Sequence, residues 1–219
     1  SRYLIRSAHD GEKLIGTKLV TIRPDNPSKR GLAAVQALII LFDAENGMPK
    51  AALEATELTY WKTAADSALG SALLSREDAS CLAVAGAGGL APWLVRGHLA
   101  ARPSIGRVLV WNRTTDKAAS LVEQLQKEGL PAQPAGSLEE AVTAADIIST
   151  ATMATDPVLK GAWLKPGTHV DLVGGYSPDT READDDVLKR GTLFVHCLES
   201  ALDVVGDILA PIASGIIGE

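Results

Sequence analysis

From about residue 80 onward, short apolar segments alternate with longer segments whose apolar residues follow helical spacing. A parallel strand is reached from its neighbour only by a crossover connection, which is usually a helix, so this alternation predicts a parallel sheet with helices on both faces. The expected fold class is α/β, with a Rossmann-type doubly wound parallel sheet. The predicted strands are "CLAVAG", "RVLVWN", "DIISTAT", "HVDLVGG" and "TLFVHC".

The first third of the chain has a different pattern. "LIGTKLVTI" and "AAVQALIILFD" are predicted strands, and Asn46-Gly47 predicts a hairpin turn to a third strand because both residues tolerate positive φ. An Ala-rich helix follows. We therefore expect two domains: a smaller β-rich one over residues 1–76 and a dinucleotide-binding one over residues 77–219.

Composition excludes several classes of function. The 219 residues carry a net charge of −6, which argues against nucleic acid or an anionic membrane as a partner. No apolar run reaches the length of a membrane-spanning helix, and the amino end has no signal-peptide pattern. A soluble cytoplasmic protein is expected.

The metal-binding and nucleophilic residue types are few. Cys81 and Cys197 have no metal-ligand spacing and adjoin apolar runs, so both are interpreted as buried free thiols. The four histidines show no triad or metal pattern and are interpreted as structural or surface residues: His9, His98, His169 and His196. No metal is expected. The acidic run at 182–186 is interpreted as the amino end of a helix.

A glycine motif lies between the first predicted strand and helix of the larger domain. In "VAGAGGLA", Gly86 permits a tight turn, Gly88 lets the backbone approach a pyrophosphate, and the small Ala91 lets the helix pack on the strand. The helix amino end offers unpaired N–H groups to phosphates. The motif predicts dinucleotide binding by Ala87, Gly89 and Leu90 as well; the alternative is a ligand-free domain whose glycines serve turns.

The end of the next predicted strand indicates which dinucleotide is bound. NAD enzymes usually end it with Asp or Glu, which accepts hydrogen bonds from the ribose. Here it ends in Asn112, Arg113 and Thr114, which would attract a 2′-phosphate rather than repel it. NADPH is therefore expected, with NADH possible. The alternative is that Arg113 only caps a loop in solvent.

Taken together, these segments resemble the ornithine cyclodeaminase/mu-crystallin family. The matching stretches include "GTKLVTIRPDNP", "WKTAADSALGSALL", "LAVAGAGGLA", "GAWLKPGTHVDLVGG" and "LESALDVVGDILAPIASG", in family order along nearly the whole chain. Family members are longer at both ends. The resemblance implies that the β-rich domain binds substrate and forms a homodimer.

The resemblance also implies roles for individual residues. The family's substrate lysine falls on Lys18, and the arginine-threonine pair that opens its Ala-rich helix falls on Lys62 and Thr63. Lysine keeps the charge but loses the bidentate fork, and Lys62 has a surface ion pair with Asp66 as its alternative. The segments that line the nicotinamide and its ribose fall on six residues: Ala151, Thr152, Met153, Val173, Gly174 and Gly175.

Tyr176 is the main departure from the family pattern. True cyclodeaminases have an aspartate there as acid and base, and a phenol with a pKa near 10 is about 6 units weaker as an acid. Reduction of a cyclic imine needs only a hydride, an anchored carboxylate and at most one proton donor. Tyr176 could pack against the substrate or donate that proton, and Asp171 is a second candidate acid.

The resemblance thus implies an NADPH-preferring reductase of cyclic imino acids. Its substrates would be Δ1-pyrroline-2-carboxylate or Δ1-piperideine-2-carboxylate, and its products L-proline or L-pipecolate. An alanine-type dehydrogenase and an ornithine cyclodeaminase stay open as alternatives. A non-catalytic mu-crystallin-like protein that binds NADPH and a small ligand is the alternative from another class.

Overall fold

The computed structural model describes residues 2–218 and divides after Thr63 into two compact units. The division falls inside helix α2 (Thr56–Leu74). The sequence pattern places the domain boundary later, after residue 76, because a continuous helix carries no internal signal. The domain limits stay a prediction.

The first unit is built on a four-stranded antiparallel sheet. Each strand pairs with the next along the chain, which is the simplest arrangement for strands joined by short turns. Gly47 has φ of 74°, so the predicted hairpin turn is confirmed. The first strand was not predicted, because its eight residues are all exposed and mix charged with apolar types. The elements are β1 (Arg2–His9), β2 (Leu14–Ile22), α1 (Asn26–Arg30), β3 (Val35–Asp43) and β4 (Pro49–Glu54).

The second unit contains a five-stranded parallel sheet in the order β7-β6-β5-β8-β9. The chain starts in the centre at β5, moves outward to β7 and returns to β8, so the order reverses beside β5. The predicted doubly wound sheet is confirmed. Its strands are β5 (Cys81–Ala85), β6 (Arg107–Trp111), β7 (Ala132–Pro134), β8 (Ile147–Thr150) and β9 (His169–Leu172). The helices are α3 (Ala91–Ala101), α4 (Thr115–Lys127), α5 (Leu138–Ala144), α6 (Asp185–Arg190), α7 (Leu198–Val204) and α8 (Gly206–Ala213).

Both faces of this sheet are covered. Leu82 and Val84 of β5 face one apolar cluster that contains residues of α3 and α4. Cys81, Ala83 and Ala85 face the opposite cluster, which contains residues of α5. Successive residues of a strand point to opposite faces, so burial on both sides explains why β5 is apolar throughout.

Three expectations for the carboxy-terminal part were wrong. Residues 192–197 form no strand, and Leu193, Phe194 and Val195 are exposed. An apolar β-branched run forms a strand only when it pairs with a sheet edge, which this segment does not do. Cys197 is consequently exposed, whereas Cys81 is buried as expected. In the acidic run, Asp184 caps α6 as predicted, but Glu182 is fully buried.

Candidate functional site

The glycine loop after β5 has the geometry of a phosphate cradle. Gly86 has φ of 116°, and a Cβ built on it would lie 2.6 Å from the Ala151 carbonyl oxygen. A Cβ on Gly88 would meet no atom within 4 Å, so the backbone there is open to a ligand. Helix α3 has no side-chain cap at its amino end. In its first turn, the N–H groups of Ala91 and Trp93 donate to the carbonyls of Gly88 and Leu90. The open glycine turn before the helix is therefore the part that fits the pyrophosphate of a dinucleotide.

The residues after β6 adjoin this loop. The Asn112 side chain accepts a hydrogen bond from the Ala87 N–H at 3.2 Å and donates one to the Thr114 carbonyl at 2.9 Å. It therefore ties the glycine loop to the next connection. Arg113 and Thr114 are exposed, and no carboxylate ends β6. Thr63, the remaining cofactor candidate from the first unit, donates its hydroxyl to the Thr59 carbonyl at 2.9 Å.

The ends of β8 and β9 meet at the same edge of the sheet. Ala151 and Thr152 are half-buried and Met153 is exposed after β8. The Val173 N–H donates to the Thr150 carbonyl at 2.9 Å and extends the pairing of the two strands by one residue. Gly174 and Gly175 follow and are buried. Ligands of doubly wound sheets bind at this edge, where the strand order reverses.

Tyr176 follows the glycine pair in the loop after β9. Its ring is half-buried, and its phenol makes no hydrogen bond with any residue between 2 and 218. The adjacent turn is closed by Ser177 and Thr180, whose hydroxyl accepts from the Ser177 N–H at 3.2 Å. The phenol is therefore available to a ligand.

Asp171 lies within a buried polar network that sequence spacing did not reveal. Oδ2 accepts from the Ser149 hydroxyl at 2.7 Å and contacts His98 Nε2 at 3.2 Å, while Oδ1 accepts from the Ser67 hydroxyl at 3.2 Å. His98 Nδ1 contacts the Ser71 hydroxyl at 2.7 Å. Burial alone would raise the pKa of Asp171, but the contacts with His98 and the two serines hold it below its ordinary value.

This network contains a serine, a histidine and a carboxylate in contact, which is the composition of a hydrolytic triad. Ser71 and His98 are completely buried, so no substrate reaches them. The network links α2, α3, β8 and β9 and is structural. Asp171 is held in it by three side chains.

Lys18 of the first unit belongs to a group of cations. It lies directly opposite Arg6 in the antiparallel pairing of β1 with β2. Burial, followed by the charges of Lys62 and Arg6, lowers the pKa of Lys18. Like charges on directly opposed residues repel, so an anion bound among them would stabilise the arrangement. Arg6 was missed from the sequence because its position depends on the register of β1.

Two buried carboxylates were also missed. Glu182 is fully buried and Asp207 is 2% exposed. Burial raises the pKa of each carboxyl group, and backbone hydrogen bonds oppose the shift in both. Glu182 follows the Tyr176 loop, and Asp207 lies in the first turn of α8.

Other kinds of site have no support in the part of the chain that the structure describes. Residues 2–218 contain no group of three His, Cys, Asp or Glu side chains placed to hold a metal ion. Among the helices described, none combines the length and apolar character needed to cross a membrane. His9 and His196 are exposed, and burial lowers the pKa of His169.

Comparison with known proteins gives consistent matches along the chain. The sequence profile of the ornithine cyclodeaminase/mu-crystallin family matches residues 4–216. The Δ1-pyrroline-2-carboxylate reductase of Paracoccus denitrificans is 45% identical over 204 residues, which cover 92% of this chain and 64% of that protein.

Two solved structures share the fold over nearly the whole chain. Thermococcus litoralis Δ1-pyrroline-2-carboxylate reductase, in complex with NADH and L-proline, matches with a TM-score of 0.89 and 30% identity over 98% of this chain and 71% of that one. An archaeal alanine dehydrogenase dimer with bound NAD matches with a TM-score of 0.85 and 28% identity over 99% and 70% of the respective chains.

The parallel sheet with its glycine loop and the separate antiparallel sheet define a two-part protein of the Rossmann class. Within that class, the chain belongs to the ornithine cyclodeaminase/mu-crystallin family. It spans slightly less than two thirds of the length of its Paracoccus relative.

Proposed function

We propose that the protein is an NAD(P)H-dependent reductase of cyclic imino acids. The substrate is Δ1-pyrroline-2-carboxylate, Δ1-piperideine-2-carboxylate or both, and the product is L-proline or L-pipecolate. The observation that carries the proposal is the end of β9, where two buried glycines precede Tyr176 instead of a carboxylate. Similarity to two reductases of Δ1-pyrroline-2-carboxylate supports it.

Binding of the substrate carboxylate is assigned to the cations of the first unit. Lys18 and Lys62 each offer an ammonium group, and Arg6 adds a guanidinium group opposite Lys18. Each would form a charge-assisted hydrogen bond, which is stronger than a neutral one. Burial, followed by the charges of Lys62 and Arg6, lowers the pKa of Lys18, so binding of the anion should weaken as the pH rises, and at a lower pH than for an ordinary lysine.

When bound, a reduced nicotinamide would supply the hydride for the carbon of the C=N bond. Gly86 to Ala91 would hold the pyrophosphate, and the backbone at Gly174 and Gly175 would lie beneath the ring. A Cβ on either glycine would collide with Glu182 or Asp207, so a larger residue would displace this segment. The imine nitrogen takes one proton, either before binding or from the phenol of Tyr176. Hydride plus proton converts the imino acid to the amino acid and balances the reaction.

We also propose that the protein prefers NADPH to NADH. It rests on Arg113, which is exposed beside the predicted position of the adenosine ribose, and on the neutral Asn112 in place of a carboxylate. A 2′-phosphate would pair with the guanidinium group. NADH stays a usable cofactor because Asn112 repels neither form.

A homodimer through the antiparallel sheet is proposed for the assembly. Tyr3 is 73% exposed, and Ile5 and Leu38, which lie on the same face of that sheet, are also exposed. Clustered exposed apolar side chains mark interaction surfaces. The dimeric state of the archaeal relative supports this arrangement.

A substrate panel tests the proposal. The purified protein is mixed with NADPH or NADH and each candidate substrate, and absorbance at 340 nm follows oxidation of the cofactor. We expect the cyclic imino acids to react fastest and Lys18→Met to reduce kcat/KM by about 10- to 100-fold, the effect of losing one charged hydrogen bond. An exposed lysine outside the site, Lys127, provides the matched control as Lys127→Met.

Other outcomes of the panel favour other functions. Faster oxidation with pyruvate and ammonia would indicate an alanine-type dehydrogenase, and release of ammonia from ornithine would indicate a cyclodeaminase. Tight binding of the dinucleotide without turnover of any substrate would indicate a binding protein.

A further inference from the structure

The carboxylate of Glu182 connects the ends of two neighbouring strands. Oε2 accepts hydrogen bonds from the Thr150 hydroxyl at 2.7 Å and from the Gly174 N–H at 2.6 Å. Oε1 accepts from the Thr152 N–H at 2.6 Å and from the Thr152 hydroxyl at 2.7 Å. Thr150 ends β8, Thr152 follows it, and Gly174 lies just beyond β9, so one side chain fixes both segments.

The hydrogen bonds require an acceptor on both oxygens of this side chain. Two of the four donors are backbone N–H groups, which cannot turn round to accept a hydrogen bond. An amide in place of the carboxylate would direct its NH2 group at one of these backbone N–H groups. That backbone N–H would then have no acceptor in a buried place. The fit is also tight, because a Cβ on Gly174 would lie 2.5 Å from the Glu182 carboxyl carbon.

Asp207 holds the backbone of Glu182 in turn. Its Oδ1 accepts from the N–H groups of Glu182 and Ala183, each at 2.9 Å. A Cβ on Gly175 would collide with Asp207 Oδ2, so the second glycine of the pair packs directly on this carboxylate. Glu182 and Asp207, which we call the carboxylate brace, therefore contact both glycines and the end of β8.

The carboxylate brace lies at the opposite end of the sheet from Asp146, a carboxylate that only stabilises the fold. Asp146 accepts hydrogen bonds from Ser80 and Cys81 at the amino ends of β8 and β5, away from the edge where doubly wound folds bind ligands. Glu182 lies at the carboxyl ends, and its partners Thr152 and Gly174 are themselves proposed to line the nicotinamide. The glycine loop at Gly86 to Ala91 has no hydrogen bond to Glu182.

We propose that Glu182 is a positioning residue that sets the nicotinamide half of the bound dinucleotide for hydride transfer without contributing to the adenine half. The inference rests on the proposed function, because it assigns Thr152 and Gly174 to the nicotinamide. Glu182 would act by holding the ends of β8 and β9 in place and would not touch the substrate. Displacement of the ring by about 1 Å is enough to lower hydride transfer on the order of 100-fold.

The test compares Glu182→Gln with the wild type and with Asp186→Asn, an exposed carboxylate on the adjacent helix. Calorimetry with ADP-ribose measures binding of the dinucleotide without its nicotinamide ring, and emission of bound NADH reports on the surroundings of that ring. We expect Glu182→Gln to bind ADP-ribose within about 2-fold of the wild type, since distant sites act independently. We expect it to lose the emission change of bound NADH and to lower kcat on the order of 100-fold.

A second variant guards against failure of Glu182→Gln to fold. Thr150→Val keeps the side-chain shape and removes one of the four donors, so we expect a smaller change in the same direction. Equal loss of ADP-ribose and NADH binding in either variant would overturn the proposal, as would unchanged NADH emission with unchanged kcat. If the wild type binds NADH but reduces no imino acid, the proposed function fails, and the emission and ADP-ribose measurements still decide the role of Glu182.

Discussion

Asp146 makes the stability of the sheet dependent on pH in a predictable way. Its Oδ2 accepts from the Ser80 N–H at 2.9 Å, the Ser80 hydroxyl at 3.1 Å and the Cys81 N–H at 3.1 Å. Its Oδ1 pairs with Lys165 Nζ at 2.9 Å. Burial alone would raise the pKa of Asp146, but Lys165 and Ser80 lower it from 3.8 to about 2.

The dependence of stability on pH follows from the difference between the pKa values of Asp146 in the folded and unfolded states. The carboxylate is favoured in the folded state, so its contribution is present above the unfolded pKa of 3.8 and is lost as the pH falls through about 2. At about 1.4 kcal/mol per pKa unit, the carboxylate contributes about 2 kcal/mol to the free energy of unfolding at pH 6. Most of that contribution is gone at pH 2.

Urea unfolding followed by tryptophan fluorescence measures this contribution between pH 2 and pH 6. We expect Asp146→Asn to be less stable than the wild type by about 2 kcal/mol at pH 6, and the gap to narrow as the pH falls below 4. Asp116→Asn, at an exposed position in the first turn of α4, serves as the matched control and should show no comparable narrowing. A gap for Asp146→Asn that stays constant from pH 6 to pH 2 would refute the reasoning.

The remaining predictions concern the dinucleotide and the residue after the glycine pair. Gly86→Ala should lower the melting temperature and abolish dinucleotide binding, because φ is positive and the new Cβ meets the Ala151 carbonyl. Gly88→Ala should abolish dinucleotide binding at an unchanged melting temperature, because its Cβ meets no protein atom and points into open space. Normal calorimetric binding by Gly88→Ala would contradict the cradle. Arg113→Ala should raise KM for NADPH by about 10- to 100-fold and leave KM for NADH unchanged, whereas Lys117→Ala should change neither. Tyr176→Asp should lower imine reduction and gain release of ammonia from ornithine, and an unchanged product ratio would show that this position does not set the chemistry.

The parallel sheet and the glycine loop could be predicted because their signals are local. Four of the five strands of the second unit, β5, β6, β8 and β9, fall within predicted strand segments, whereas β7 has no apolar run and was not predicted. Gly86 and Gly88 stand directly between a strand and a helix. A short apolar segment does not show whether it will pair with the edge of a sheet. The segment at 192–197 was therefore predicted as a strand and is an exposed connection.

The residues that hold the candidate site could not be predicted because their partners are distant in sequence. Glu182 binds Thr150 from 32 residues away, and Asp207 binds the backbone of Glu182 from 25 residues away. An acidic run before a helix has a simpler interpretation as a helix amino end, which proved correct for Asp184. Arg6 depends likewise on the register of β1 against β2.

Transfer of deuterium from the cofactor to the product would show whether the protein reduces a cyclic imino acid. The protein is supplied with Δ1-pyrroline-2-carboxylate and a reduced dinucleotide that carries deuterium at the transferable position of the nicotinamide, and the product is analysed by mass spectrometry. We expect L-proline with one deuterium on its α-carbon, formed in proportion to the cofactor oxidised. Binding of the dinucleotide without deuterated proline would contradict the proposed function.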